Sequence, residues 1–250
     1  MTSETLHRIV DAPDVQRLQT SNHATIPDGL RWLETLVADY RKILINEPFY
    51  QIAATVTTIR DFAWARQLLH HSTKFPQVLA LRRDLNYGHP YASRYRNFFA
   101  QHVMEEEGHA DMLKDWLTQH GLVPFGENAL APIPTNATVA CLAHAYTAAV
   151  TGTPAESTVA LNVAVEAASY DLFNQLAPTL QKLEIDSWYW ELHRTADEFH
   201  SADGLAMLDE CEPDSHQGQS LARWAREAAI FWGAMLNSWV GIDRWPPIPA

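Results

Sequence analysis

The sequence predicts a single all-α bundle of seven or eight helices, and three observations lead there. Apolar residues recur at spacings of three and four along nearly the whole chain, which is the signature of amphipathic helices. The periodic stretches are joined by short connectors marked by Pro, Asn or Gly, as suits antiparallel neighbours in a bundle. Glycine is scarce, at 10 of 250 residues, and neither a GxGxxG nor a Walker-type loop is present, which argues against a doubly wound sheet with phosphate-binding turns.

The elements follow in order. Residues 1–27 are polar and mixed and read as an N-terminal arm ending near Pro27. A first helix is expected over 28–45, where Leu30, Leu33, Leu36, Val37, Tyr40, Ile43 and Leu44 form one stripe, and Asn46-Glu47-Pro48 ends it. A short helix follows at 48–56. The stretch 58–87 should be helical in two pieces, because Pro76 lacks the N–H for an internal bond and should kink it. Asn86 to Pro90 reads as a turn.

The longest helix is expected over 91–120, with Tyr91, Tyr95, Phe98, Phe99, His102, Glu106, His109, Leu113, Trp116 and Leu117 on one side and Gly121 as its stop. Residues 121–134, with three prolines and two glycines, read as a loop. Helices are expected at 135–151, 154–182, 184–210 and 216–240. The run Trp245-Pro246-Pro247-Ile248-Pro249 cannot continue one. No internal repeat or composition shift marks a second domain, so the expected layout is an arm (1–27), a helical domain (28–240) and a Pro-rich tail (241–250).

Composition removes whole classes of function. Hydrophobic residues make up 47% and charged residues 19%, which excludes a largely disordered chain. With 18 Lys plus Arg against 30 Asp plus Glu, the net charge is −12, the wrong sign for a phosphate backbone or an anionic membrane surface. Two cysteines, Cys141 and Cys211, make no disulfide framework and fit a reducing cytoplasm. The start Met-Thr-Ser-Glu lacks the basic-then-apolar order of a signal peptide, and no apolar run is long enough to cross a bilayer.

Three helical stretches place metal-type ligands on faces that should be buried. Glu106 and His109 are i and i+3 on the apolar stripe just described, and a buried carboxylate needs a positive partner or a metal. Glu166 occupies a Leu-type position in the stripe Val159, Val163, Tyr170, Phe173, and that helix carries no Lys or Arg between residues 154 and 181 to pair with it. His193, Asp197 and His200, spaced +4 and +3, line one face together with Tyr189, Gly204 and Met207. The set is three imidazoles and three carboxylates. A single metal would be over-supplied, whereas two divalent ions nearly balance the three negative charges. Imidazole and carboxylate without thiolate favour iron or manganese over a structural zinc.

The order Glu106-x-x-His109, Glu166, His193-x-x-x-Asp197-x-x-His200 resembles the haem-oxygenase-like diiron oxidases and oxygenases. The strings Asn46-Glu47-Pro48-Phe49-Tyr50, Phe75-Pro76, Glu105 to Trp116, Val165-Glu166-Ala167 and His193 to Ala202 agree, and the resemblance spans about residues 30–240. It implies a haem-oxygenase-like bundle, similar in fold to the thiaminase-like and quinone-cofactor synthesis proteins. It also implies two Fe2+ ions, the second bound weakly in some members, and O2 as co-substrate. The implied reaction is oxidation of a small amino-acid-like or fatty-acid-like molecule by N-oxygenation, desaturation or oxidative C–C cleavage. Analogy also suggests a homodimer, while the cysteine usage and acidic charge above point to a cytoplasmic protein that binds neither nucleic acid nor membrane. The family often has a further carboxylate ligand; Glu105, His102, His70, His71 and Asp84 are the residues from which a seventh ligand could come, with His102 expected in the core or supporting a ligand.

Around the centre, Tyr95, Phe98, Phe99, Tyr170, Phe173 and Trp188 are candidate walls, and Arg194, Arg66, Lys74 and Arg82 candidate anchors for a substrate carboxylate, with solvated surface the default for each cation. The alternative function is a metal-free thiaminase-like hydrolase using Cys141 as nucleophile, which leaves His193, Asp197 and His200 unexplained. A haem protein lacks an axial His on an early helix, a ferritin-like store would use a different ligand pattern, and a non-catalytic helical protein would bind no metal.

Overall fold

The computed structural model describes residues 25–87, 93–123, 133–185 and 188–249, and among them all regular structure is helical. Helix α1 (Arg31–Leu44), entered through a 3-10 turn at Asp28–Leu30, buries Leu33, Val37, Tyr40 and Leu44, the stripe expected from its spacing. Pro48, whose missing N–H costs nothing in a first turn, opens α2 (Pro48–Ala53). A 3-10 turn at Ile59–Phe62, closed by a capping box between Thr58 and Asp61, leads to α3 (Ala65–Asn86). Helices α4 (Ser93–Glu105), α5 (His109–Gln119) and α6 (Asn136–Thr151) follow, the last capped by the Thr135 hydroxyl, which accepts from the Thr138 N–H.

The next rod is composite. A capping box of Thr153 and Glu156 starts α7 (Pro154–Thr158), an eight-residue π-helical segment continues it (Val159–Glu166), and α8 (Ala167–Lys182) completes it. Helices α9 (Trp188–Ala206) and α10 (His216–Trp239) close the bundle, α10 with Ser215 as its cap. Helix α10 packs against α6, the π segment and α1; α9 packs against α8 and the π segment; α3 packs against α6, α4 and α5. The π segment is buried at every position. Gly204 of α9 lies so close to it that a Cβ there would meet Asn162 Cβ at 2.8 Å, so the small residue is what lets the two rods touch.

Two expectations are corrected. The stretch 91–120 is not one helix: it stops at Glu105 and restarts at His109, and Gly108, at φ +91°, takes the left-handed backbone that breaks it. The stretch around Pro76 is not two pieces, since α3 runs unbroken from Ala65 to Asn86, and the proline ring simply supplies no N–H to the carbonyl of Ser72. Of the expected arm, residues 1–24 lie outside the described residues, as do Tyr91, most of the Asn86–Pro90 turn and residues 124–132 of the expected loop. No helix among the described residues is long and apolar enough to cross a membrane.

Candidate metal centre

The six residues singled out by spacing converge inside the bundle. Glu106, His109, Glu166, His193, Asp197 and His200 are all buried, none more than 7% exposed. They come from the α4–α5 break, the end of the π segment and the middle of α9. Glu106 sits between two imidazoles, with Oε2 at 3.2 Å from His109 Nδ1 and Oε1 at 3.9 Å from His200 Nδ1. Glu166 Oε2 is 3.7 Å from the same His200 nitrogen. The His109 and His193 rings lie 4.6 Å apart. Among the described residues, His102, Glu106, Glu166 and His200 present ligand-type atoms that all lie within 4.8 Å of one another. Glu106 and His109 approach across the break at Gly108, not along one continuous helix.

Hydrogen bonds fix which nitrogen each histidine presents. His193 Nδ1 is 2.9 Å from the Tyr189 carbonyl, an obligate acceptor, so Nδ1 carries the proton and Nε2 the lone pair. His200 Nε2 donates to Glu105 Oε2 at 3.1 Å, so Nδ1, between Glu106 and Glu166, is the nitrogen that can offer a lone pair once the ring is neutral. Glu105, one of the candidates for a seventh ligand, is thus the carboxylate behind a histidine, the arrangement that orients imidazoles in metal sites. Its other oxygen accepts from Gln101 at 2.9 Å.

Two buried atoms of the centre, His200 Nδ1 and Asp197 Oδ2, have no hydrogen-bond partner. Orphaned buried polar atoms are rare and costly unless something completes them. Nitrogen and carboxylate oxygen, with no sulfur nearby, are the donor set iron takes. The residues present therefore fit such an ion.

Without one, the centre holds protons. Burial, then the charges of Glu166 and Glu106, push the Asp197 carboxyl well above the usual carboxylate range. Burial alone would lower His200, but Glu105, Glu166 and Glu106 outweigh it and hold the imidazole protonated well above its ordinary range. Glu106 and Glu166 go the other way: burial raises them, yet the facing histidines bring both below the usual value. Both metal-type groups with raised values must shed their protons to bind a cation, so affinity for a divalent ion should rise with pH. Calorimetric titration with ferrous ion in buffers of different ionisation heat is expected to show release of about two protons near neutral pH. A buffer-independent heat would contradict this.

Beside the centre lies a cavity of about 30 Å³, room for about one water-sized molecule. Glu106, Glu166, His193 and Asp197 line one side, Leu68, Phe75, Phe173 and Trp232 the other, with His71, Ser72, Ser169 and Tyr189 between them. Of the expected walls only Phe173 is there. Phe98 stacks on His102, Phe99 lies under Arg82, and Tyr170 and Tyr95 face separate surface grooves. Among the described residues, no Lys or Arg lines the chamber. Arg194 is exposed, and Arg66 and Lys74 are half-buried elsewhere. Arg82 corrects the surface default, being 0% exposed. Of the other seventh-ligand candidates, His70 is half-buried, Asp84 is exposed and paired with Arg83, and His71 lines the cavity.

Comparison with known proteins agrees with the architecture. The fold is similar to that of a TenA homologue from Pseudomonas syringae pv. tomato (TM-score 0.70, 13% identity, covering 88% of this chain and 96% of that one). It is also similar to a domain of unknown function with a haem-oxygenase-like fold from Shewanella denitrificans (TM-score 0.67, 19% identity, covering 86% and 93%). No curated protein matches by sequence. Residues 62–233 match the family described as iron-containing redox enzymes, and the chain belongs to that family.

Proposed function

We propose that the protein is a non-haem diiron, O2-dependent oxidase or oxygenase acting on a small amino-acid-like or fatty-acid-like substrate. The observation that carries this reading is the convergence of six buried ligand-type side chains, four of them lining one chamber and two of them with orphaned polar atoms. Glu106, His109, Glu166, His193, Asp197 and His200 would hold the metals. When bound, ferrous iron supplies the electrons and the docking point through which O2 is turned against a C–H bond or an amine nitrogen.

The chain's own part can be stated atom by atom. The Tyr189 carbonyl keeps His193 in the Nδ1–H form with its lone pair inward, and Glu105 holds the Nε2–H of His200, so that Nδ1 is the nitrogen freed for a metal when the ring loses its second proton. Phe75, Phe173 and Trp232 keep bulk water from the chamber, which strengthens every charge interaction within it. Ser72, Ser169 and Tyr189 add polar side chains to the wall of the chamber, which has room for about one small polar molecule beside the ligand-type groups.

The hydrolase alternative finds less support. Cys141 is buried in α6, does not line the chamber, and burial pushes its thiol up to about 12, which suppresses the thiolate a nucleophile needs. The deciding experiment is Glu166→Ala, with iron counted after anaerobic loading and O2-dependent turnover assayed. Loss of about one equivalent of iron, or of most turnover, is expected. Wild-type iron content and rate in that variant would remove the reading.

A further inference from the structure

Behind Glu166 lies a buried polar chain that none of the six residues explains. Arg82 of α3 is 0% exposed, and among the described residues no carboxylate touches it. Its Nη1 donates to Asn162 Oδ1 at 2.7 Å and faces the Ser157 carbonyl at 3.4 Å. Its Nη2 is 3.2 Å from His102 Nδ1, and its guanidinium carbon lies 4.1 Å from the centre of the Phe99 ring. Asn162 Nδ2 is 2.9 Å from the same His102 Nδ1, and His102 Nε2 is 3.0 Å from Glu166 Oε1.

Proton positions along this chain follow from donor chemistry. A guanidinium has donors only, so the Asn162 atom facing Arg82 must be its oxygen, and the atom facing His102 must be its NH2. His102 Nδ1 therefore meets two obligate donors and cannot carry a proton. A neutral imidazole then has its proton on Nε2, which donates to Glu166. That proton occupies the position a metal would need, so His102 cannot ligate through the nitrogen that faces the centre. Its proximity to Glu106, Glu166 and His200 makes it look like a fourth ligand; the two donors behind it make it a donor instead.

We propose that Arg82, Asn162 and His102 are positioning residues that lock His102 as the Nε2–H tautomer, so that Glu166 has one oxygen tethered and presents Oε2, with both lone pairs free, to the metal. The relay also gives the buried Arg82 a use: it polarises His102 toward the one carboxylate that the π segment contributes. The π segment carries both ends of the arrangement, Asn162 and Glu166, one turn apart, and π-helical turns are concentrated at functional sites. This inference rests on the iron reading for its consequence, though not for its geometry.

The test separates the two. In metal-free protein labelled with 15N-histidine, long-range nitrogen–proton correlation is expected to show His102 with Nδ1 bare and Nε2 protonated; Nδ1–H would overturn the relay. Iron affinity is then measured by anaerobic titration of wild type, His102→Ala, His102→Gln and Asn162→Asp, with thermal melts of the metal-free proteins as the fold control. His102→Ala and Asn162→Asp should each weaken iron binding by about 10–100-fold, the usual size for groups that support a ligand. The glutamine amide can replace the Nε2–H donor, so His102→Gln should recover most of the loss. If His102 were itself a ligand, His102→Gln would be as weak as His102→Ala, and the relay would be wrong. If His102→Ala does not fold, a His102→Gln protein with near-wild-type affinity still supports the relay and a crippled one refutes it. A wild-type chain that bound no iron would overturn the diiron reading, and the relay would stand or fall on the nitrogen shifts alone.

Discussion

Glu106→Ala is expected to abolish iron binding at both positions, a larger loss than Glu166→Ala should cause. Glu106 touches both groups of ligands: one oxygen is 3.2 Å from His109, whose ring lies 4.6 Å from that of His193, and the other faces His200 at 3.9 Å. Glu166 faces only the His200 side, at 3.7 Å, with its other oxygen tied to His102. Removing Glu106 therefore takes a negative charge from the approach to each metal and leaves His109 without its facing carboxylate. Elemental analysis after anaerobic loading is the measurement. Near-zero iron in Glu106→Ala beside about one equivalent in Glu166→Ala is the expected pattern. Glu106→Gln keeps the volume while losing the charge, so it should match the alanine variant if charge is what matters. One full equivalent retained in Glu106→Ala would mean that this residue serves a single metal. The metal-free variant should also be less stable than wild type, because His109 and His200 outweigh burial and favour the charged form of Glu106, and its loss removes the carboxylate they face.

The helical class was legible because periodicity is a local property and nearly every rod shows it. The six ligand-type residues were legible for a related reason: charged and imidazole groups on apolar stripes contradict burial unless something pairs with them, and each contradiction is visible within two turns of sequence. What escaped were features set by distant partners. The 91–120 stretch reads as one helix because Gly108 is tolerated inside a helix; its left-handed backbone becomes visible only once Glu106 and His109 are drawn to opposite sides of a break. Asn162 and Arg82 carry no local signal, since their partners are 80 and 20 residues away from Arg82 along the chain. Glu105 and Glu106 are adjacent and both acidic, and only the position of His200 decides that Glu105 stands behind an imidazole while Glu106 faces the centre. The π segment has no sequence signature, because it differs from an α-helix by one residue of hydrogen-bond register. The aromatic candidates could not be sorted into wall and ordinary core for the converse reason: at helical spacing every core position looks alike, and which aromatic meets the chamber depends on how the rods are rotated.

Trp190→Ala is expected to produce the largest loss of stability of any single substitution outside the metal centre. Trp190 is 1% exposed and lies in an aromatic cluster, with ring centres 5.2 Å from Phe173, 5.3 Å from Trp116, 5.8 Å from Tyr189, 6.1 Å from Trp64 and 6.3 Å from Phe62. Those neighbours belong to α8, α5, α9 and the turn that leads into α3, so the indole joins rods that are far apart in sequence. Truncating a buried Trp costs about 3–5 kcal/mol, a large part of a total stability of roughly 5–15 kcal/mol. The cavity would be hard to close, because stacked and edge-on rings cannot slide without breaking contacts on their other faces. For a chain of this length, that cost should lower the melting temperature by roughly 10 °C or more. Its Nε1 has no hydrogen-bond partner, so Trp190→Phe forfeits no polar contact and should retain most of the stability. The neighbouring Tyr189 carbonyl orients His193, so the same cluster that stabilises the bundle also holds a face of the metal centre still. Melting curves with and without excess ferrous iron separate these contributions. If iron raises the melting temperature of Trp190→Ala by as much as it raises that of wild type, the aromatic cluster supports the fold and the carboxylate–imidazole set binds metal independently. If the iron-dependent rise disappears in Trp190→Ala, the packing around Trp190 is what keeps His193 in place.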